Sequence, residues 1–152
     1  MQAILVIHNL LRWLIILFGV WTVLGALMGV ATKKEFTTSD GRSNFFFMLS
    51  MDIQLLTGLA LYFAGVWFER LKHLSENMKD PSLRFFTIEH EAMMIVAWIL
   101  AHMGRVFVKK ALTSRTKFIR SLVFFGIALV LILFAIPWPF KEAVARPLFR
   151  WF

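Results

Sequence analysis

Long apolar runs alternate with short polar connections along this chain. The runs fall at about 4–30, 45–68, 86–108 and 121–140, the helix of the last being expected over 121–137. At 1.5 Å of rise per residue, each is long enough for a hydrocarbon layer of roughly 30 Å. Each is too long for a barrel strand, so the expected elements are helices. The connections at 32–44 (TKKEFTTSDGRSN) and 109–120 (KKALTSRTKFIR) are polar, and the first carries turn and cap signals. The stretch 69–84 (ERLKHLSENMKDPSLR) is amphipathic and suits the membrane surface. After Ile136 the chain reads PWPFKEAVARPLFRWF, where proline stops a helix and Trp, Phe and Arg favour the interface. The pattern predicts an all-α, integral membrane, four-helix up-down-up-down bundle. It forms one domain over 1–152, with an amphipathic loop between helices 2 and 3 and an interfacial C-terminal tail.

Composition excludes the alternatives. Apolar residues make up 59% of the 152 and charged residues 17%, and the mean hydropathy is +0.72. A soluble domain of this size could not hide that surplus. There are no cysteines, which removes disulfides, thiolate nucleophiles, iron–sulfur clusters and covalent c-type haem. The formal net charge is +8, but the cations sit in loops between apolar runs. That placement points to membrane lipids rather than nucleic acid. The first and third loops carry eight Lys/Arg, and the opposite side carries seven, counting Arg150. The segment before helix 1 lacks the basic region of a signal peptide, so helix 1 is expected in the mature chain. The expected setting is a bacterial inner membrane, multi-pass, with both termini outside.

Ionisable residues inside spans are costly and usually face the bundle interior. Here they are His8, Arg12, Asp52, Glu89, His90, Glu91, His102 and Arg105. In helix 1, His8, Arg12, Ile15, Gly19 and Thr22 share one stripe; in helix 3, His90, Met94, Ala97, Ala101 and Gly104 repeat its offsets. Small residues on such a stripe admit either a neighbouring helix or a flat cofactor. His8 and His90 lie at similar depth on helices that run in the same direction. In an up-down-up-down bundle those helices are diagonal, and two inward imidazoles can hold one haem iron. The expected cofactor is therefore one haem b with His8 and His90 as axial ligands. Gly19, Met94 and Ala97 form the haem-facing stripe, and Arg12 and Arg84 are candidate propionate contacts. The bland alternative for each histidine is an interfacial or hydrogen-bonded residue. Arg12 has two other candidate partners, Asp52 or a glutamate at 89 or 91, and an acidic partner is favoured. His102 and Asp52 share a depth; with Arg105 they form either a second site or a polar network, and a simple His–Asp pair is the expectation. Met93, Met94 and Met103 read as packing before ligation. No nucleophile, phosphate-loop or zinc motif is present, and no catalytic residue is assigned.

The ordered set His8-Asn-Leu-Leu-Arg12-Trp13, Gln54-Leu-Leu-Thr-Gly58-Leu-Ala-Leu-Tyr62, Glu89-His90-Glu-Ala-Met93-Met94, His102-Met-Gly104-Arg105, Ile136-Pro-Trp-Pro139 and Arg146-Pro147 spans nearly the whole chain. It resembles small bacterial four-helix membrane proteins catalogued as cytochrome-b-like. The resemblance implies a four-helix bundle with haem b. In that pattern a histidine precedes the Gln-Leu-Leu run, whereas this chain has Asp52. A second haem is accordingly not expected. The function expected is an electron-transfer or anchor subunit, working with a partner membrane or redox subunit and with quinone as a candidate partner, rather than a stand-alone enzyme. The alternative is a cofactor-free accessory subunit of a larger membrane complex, with Arg12, Asp52, His102 and Glu89 in one internal network.

Overall fold

The computed structural model describes residues 1–149; Arg150 of the charge count lies outside them. Four helices are long and apolar enough to cross a membrane: α1 (Gln2–Thr32), α2 (Thr38–Ala64), α3 (Pro81–Lys109) and α4 (Ser114–Ala135). Their starts lie earlier than the apolar runs for α2, α3 and α4, because polar caps set them. Thr37 and Asp40 form a reciprocal capping box on α2. Asp80 accepts from Leu83 N, and Pro81 occupies the first turn of α3. Thr113 accepts from Thr116 N on α4. Lys33 ends α1 in the left-handed region at φ 54°, and the loop to α2 is only a few residues long. A π turn at Phe85–Glu89 widens the start of α3 before regular α-helix resumes at His90.

Each helix neighbours the next, and α4 closes the ring against α1, so α1 and α3 are diagonal, as are α2 and α4. This is the expected up-down-up-down bundle. The stripe on α1 faces inward as expected: Arg12, Ile15, Gly19 and Thr22 are buried. So are Ala97, Ala101 and Gly104 on α3. Ile15, Ala97 and Ala101 among them meet Phe47 and Met51 of α2 and Phe125, Ala128, Leu129 and Ile132 of α4 in the core. Leu14, Leu17, Trp21, Leu24 and Leu27 of α1 point outward instead, as apolar residues do against lipid tails. Where hydrocarbon surrounds the bundle, close packing and interhelical hydrogen bonds hold it together rather than apolar burial. The buried Asn44 Nδ2 donates to Ser121 Oγ at 2.9 Å, tying α2 to α4 across the core.

The N-terminus, the segment after α2 and the C-terminal tail gather at one end of the bundle. Between α2 and α3 the amphipathic stretch folds into short helical turns at Trp67–Arg70, Leu71–His73 and Leu74–Asn77, anchored where Trp67 packs against Phe86 at a tilt, 5.2 Å between ring centres. The tail beyond α4 is irregular and folds back over α1. Arg146 N donates to Pro137 O at 3.1 Å. Leu148 O accepts from both Arg12 Nη2 and Trp13 Nε1, and Phe149 stacks on Trp13 at 5.3 Å.

Candidate functional site

The diagonal placement of α1 and α3 brings His8 and His90 together edge-on, with ring centres 6.4 Å apart and planes at 63°. They are separated by 82 positions in sequence (90 − 8), so this meeting is entirely a product of the fold. Both line a cavity of about 390 Å³ that also touches Arg12, Gln54, Glu91 and Arg146. That volume falls within the roughly 300–1,000 Å³ of small-molecule and cofactor sites. Met94 and Ile132 supply apolar wall, and Pro137, Arg146 and Pro147 of the tail close one side.

Each imidazole is oriented by its neighbours. His90 Nδ1 lies 2.8 Å from Ala135 O. A carbonyl only accepts, so Nδ1 carries the proton and Nε2 keeps its lone pair. His8 Nδ1 is 3.1 Å from Thr57 Oγ1, and Thr57 Oγ1 itself donates to backbone at Ile53 O or Gln54 O. The hydroxyl therefore accepts from His8 Nδ1–H. Gln54 Nε2 donates to His8 Nε2 at 3.1 Å and to His8 O at 3.2 Å. Both histidines are thus assigned the same tautomer, with Nε2 unprotonated and that of His8 accepting from Gln54. Gly58 makes the room: a Cβ there would stand 3.3 Å from His8 Cε1.

Polar atoms without partners collect at this cavity. Asn9 Oδ1, Arg12 Nε and Gln54 Oε1 are buried and unbonded among the described residues, and all three residues line the cavity. Buried polar groups in proteins are normally paired, so such a group of orphans marks a place where something else supplies the partner.

Several sequence expectations come out differently. Among the described residues Arg12 has no acidic partner; its Nη2 donates to Leu148 O, and the tail backbone takes the place of a carboxylate. Arg84 does not reach the cavity. It pairs with Glu89 at 2.6 Å, because the π turn aligns residues five apart. Arg146, from the tail, supplies the second guanidinium at the cavity. Gly19 and Ala97 are not cavity wall. A Cβ on Gly19 would stand 2.8 Å from Leu129 Cδ1, and Ala97 lies in the core cluster; both serve helix packing. Met94 does line the cavity. The proposed joint network of Arg12, Asp52, His102 and Glu89 is divided. Arg12 and Glu89 go to separate partners, while Asp52 Oδ1 accepts from His102 Nε2 and Trp98 Nε1, both at 2.7 Å. Arg105 stands apart from that pair, donating to Gly41 O at 2.7 Å near the start of α2. Asn9, Gln54, Tyr62 and Arg146 had not been singled out as site residues. For Asn9 and Gln54 the signal was present, since each is a polar residue within an apolar run. Comparison of the chain with protein-family models, with curated proteins and with solved structures gives no match.

Proposed function

We propose that this protein is a membrane cytochrome-b-like electron carrier that holds one haem b between His8 and His90. The observation that carries the reading is the pair of imidazoles on diagonal helices, each with an unprotonated Nε2, beside a common cavity. Two imidazoles sharing one iron, at about 2 Å per metal–nitrogen bond, have ring centres roughly 6 Å apart; here they are 6.4 Å apart. Arg12 and Arg146 bring two guanidinium groups to the same cavity, suited to bidentate contact with propionate carboxylates. The orphaned Arg12 Nε and Asn9 Oδ1 are available to a bound group.

When bound, haem b supplies a reversible one-electron couple. The chain's own residues orient and insulate it. Ala135 O fixes the His90 tautomer, as the outer partners of ligating histidines generally do. Thr57 does the same for His8. The tail, fastened through Leu148 to Arg12 and Trp13, screens the cavity from the aqueous side. The reading is an electron-transfer or anchor subunit serving a redox partner. The test is a reduced-minus-oxidised visible spectrum of the detergent-purified protein with a pyridine haemochrome assay. The expected result is a b-type α band at about one haem per chain. A colourless protein from haem-replete cells would instead favour a cofactor-free accessory subunit.

The same reading places the protein in a bacterial inner membrane with both termini outside. The two turns at the end remote from the cavity carry Lys33, Lys34, Arg42, Lys109, Lys110, Arg115, Lys117 and Arg120, which suits the cytoplasmic face. Because the chain has no cysteine, single-cysteine labelling is clean. An impermeant maleimide added to intact spheroplasts should modify Glu76→Cys, and reach Lys33→Cys only after permeabilisation. The reverse pattern would invert the topology.

A further inference from the structure

The Asp52–His102–Trp98 group is separate from the histidine cavity and lies at an unusual place. Asp52 is about 10 Å along α2 from the start of its apolar run, given seven steps of roughly 1.5 Å each. It is therefore well inside the hydrocarbon layer. Ionisable groups at that depth normally face a bundle interior or a water-filled cavity. Here the side chains of His102 and Asp52 retain 38% and 32% of their exposure. Their neighbours Ile53, Leu56, Ile99 and Met103 are exposed apolar residues. The pair thus opens onto the lipid side, along the seam between α2 and α3.

Its hydrogen bonding is half used. Asp52 Oδ1 takes both Trp98 Nε1–H and His102 Nε2–H. Asp52 Oδ2 and His102 Nδ1 have no hydrogen-bond partner among the described residues. With Nε2–H donated to the carboxylate, both remaining atoms are acceptors. The Trp98 ring stands beside them, its centre 4.5 Å from that of His102. Phospholipid headgroups do not reach this depth. A hydrocarbon-soluble ligand that carries a hydroxyl hydrogen complements the two acceptors, and a flat ring on it would suit the neighbouring Trp98.

We propose that the α2–α3 seam at Asp52, His102 and Trp98 is a binding site for the ring of a lipid-soluble quinol, its hydroxyl donating to Asp52 and His102. The proposal concerns binding alone and does not depend on haem. It predicts that the reduced, hydroxyl-bearing form binds more tightly than the quinone, which offers only acceptors to an acceptor pair.

Decylubiquinol and decylubiquinone, titrated into the full chain in quinone-free phospholipid nanodiscs and followed by calorimetry, test it. Decylubiquinol should saturate at one per chain and bind at least several-fold more tightly than decylubiquinone. His102→Leu should weaken quinol binding at least tenfold. Asp52→Asn is the sharper variant, because it keeps the shape and the Oδ1 acceptor for Trp98 and His102 but puts an N–H donor where Oδ2 was. It should reverse the preference toward decylubiquinone, a change that mere loss of folding would not produce. Equal affinity for the two forms in wild type and in Asp52→Asn would overturn the proposal. So would non-saturable partitioning, or a wild-type dimer that Asp52→Asn dissociates without saturable quinol binding, since the pair would then be an interface between two copies.

Discussion

His90→Ala should reduce bound haem from about one per chain to less than a tenth, with α-helix content unchanged. His8→Ala should do the same, since no third histidine among the described residues lines the cavity. The inference is sharpened by Gln54, whose amide donates to His8 Nε2, the atom a metal would take. Ligation and that hydrogen bond are mutually exclusive. If haem occupies the site, Gln54→Leu leaves haem content at or near the wild-type value, because the lost contact is one the loaded protein no longer makes. If the histidines belong to a cofactor-free network, Gln54→Leu strips His8 of a buried partner. The variant should then lose roughly 1–3 kcal/mol of stability and bind no haem at all. Haemochrome content and thermal melting of the same three variants therefore separate the two functions. Retained haem in His90→Ala would exclude the bis-histidine site outright.

The chain's pattern made the four spans legible because each apolar run is long and poorly interrupted. It also placed the inward stripes of α1 and α3 correctly, since helical periodicity decides which residues share a face. The ends were less legible. Thr37, Asp80 and Thr113 start their helices from within polar connections, where hydropathy carries no signal and capping geometry does. What fills the stripe was beyond periodicity as well. Gly19 and Ala97 are small so that side chains from neighbouring helices can approach, and spacing alone treats a helix and a cofactor alike. Arg12 illustrates a different limit. Its partner is a backbone carbonyl 136 positions away, in a tail with no repeating pattern, and a search for opposite charges never considers a carbonyl. Arg146 reaches the cavity through the same fold-back. Arg84 was misplaced because a π turn changes which residues align, and no composition rule announces that turn.

The small residues on the helix faces lead to a second result of large effect, in which one substitution type changes sign with position. Gly29→Ala should destabilise the bundle, whereas Gly126→Ala should stabilise it. At Gly29 an added Cβ would stand 2.5 Å from each of three Phe118 ring atoms. Phe118 is itself almost fully buried, with 1% exposure, and its ring is in contact with Phe36 at 5.0 Å between centres, so it cannot simply swing aside. Relief requires α1 and α4 to separate, and overpacking of this kind costs about 1–3 kcal/mol. In lipid the penalty has no apolar-burial gain to offset it, because close van der Waals contact is what associates the helices. At Gly126 nothing lies within 4 Å of the added Cβ. There the substitution acts only through the backbone, where Ala in a helix interior is favoured over Gly by about 0.5–1 kcal/mol. At roughly 2–4 °C per kcal/mol for a chain of this size, melting in detergent should shift downward by about 2–12 °C for Gly29→Ala and upward by about 1–4 °C for Gly126→Ala. Gly29→Leu should lower it further, since the longer side chain meets the same ring. Matching shifts of one sign at the two positions would mean that helix propensity, and not the α1–α4 approach, governs this part of the bundle.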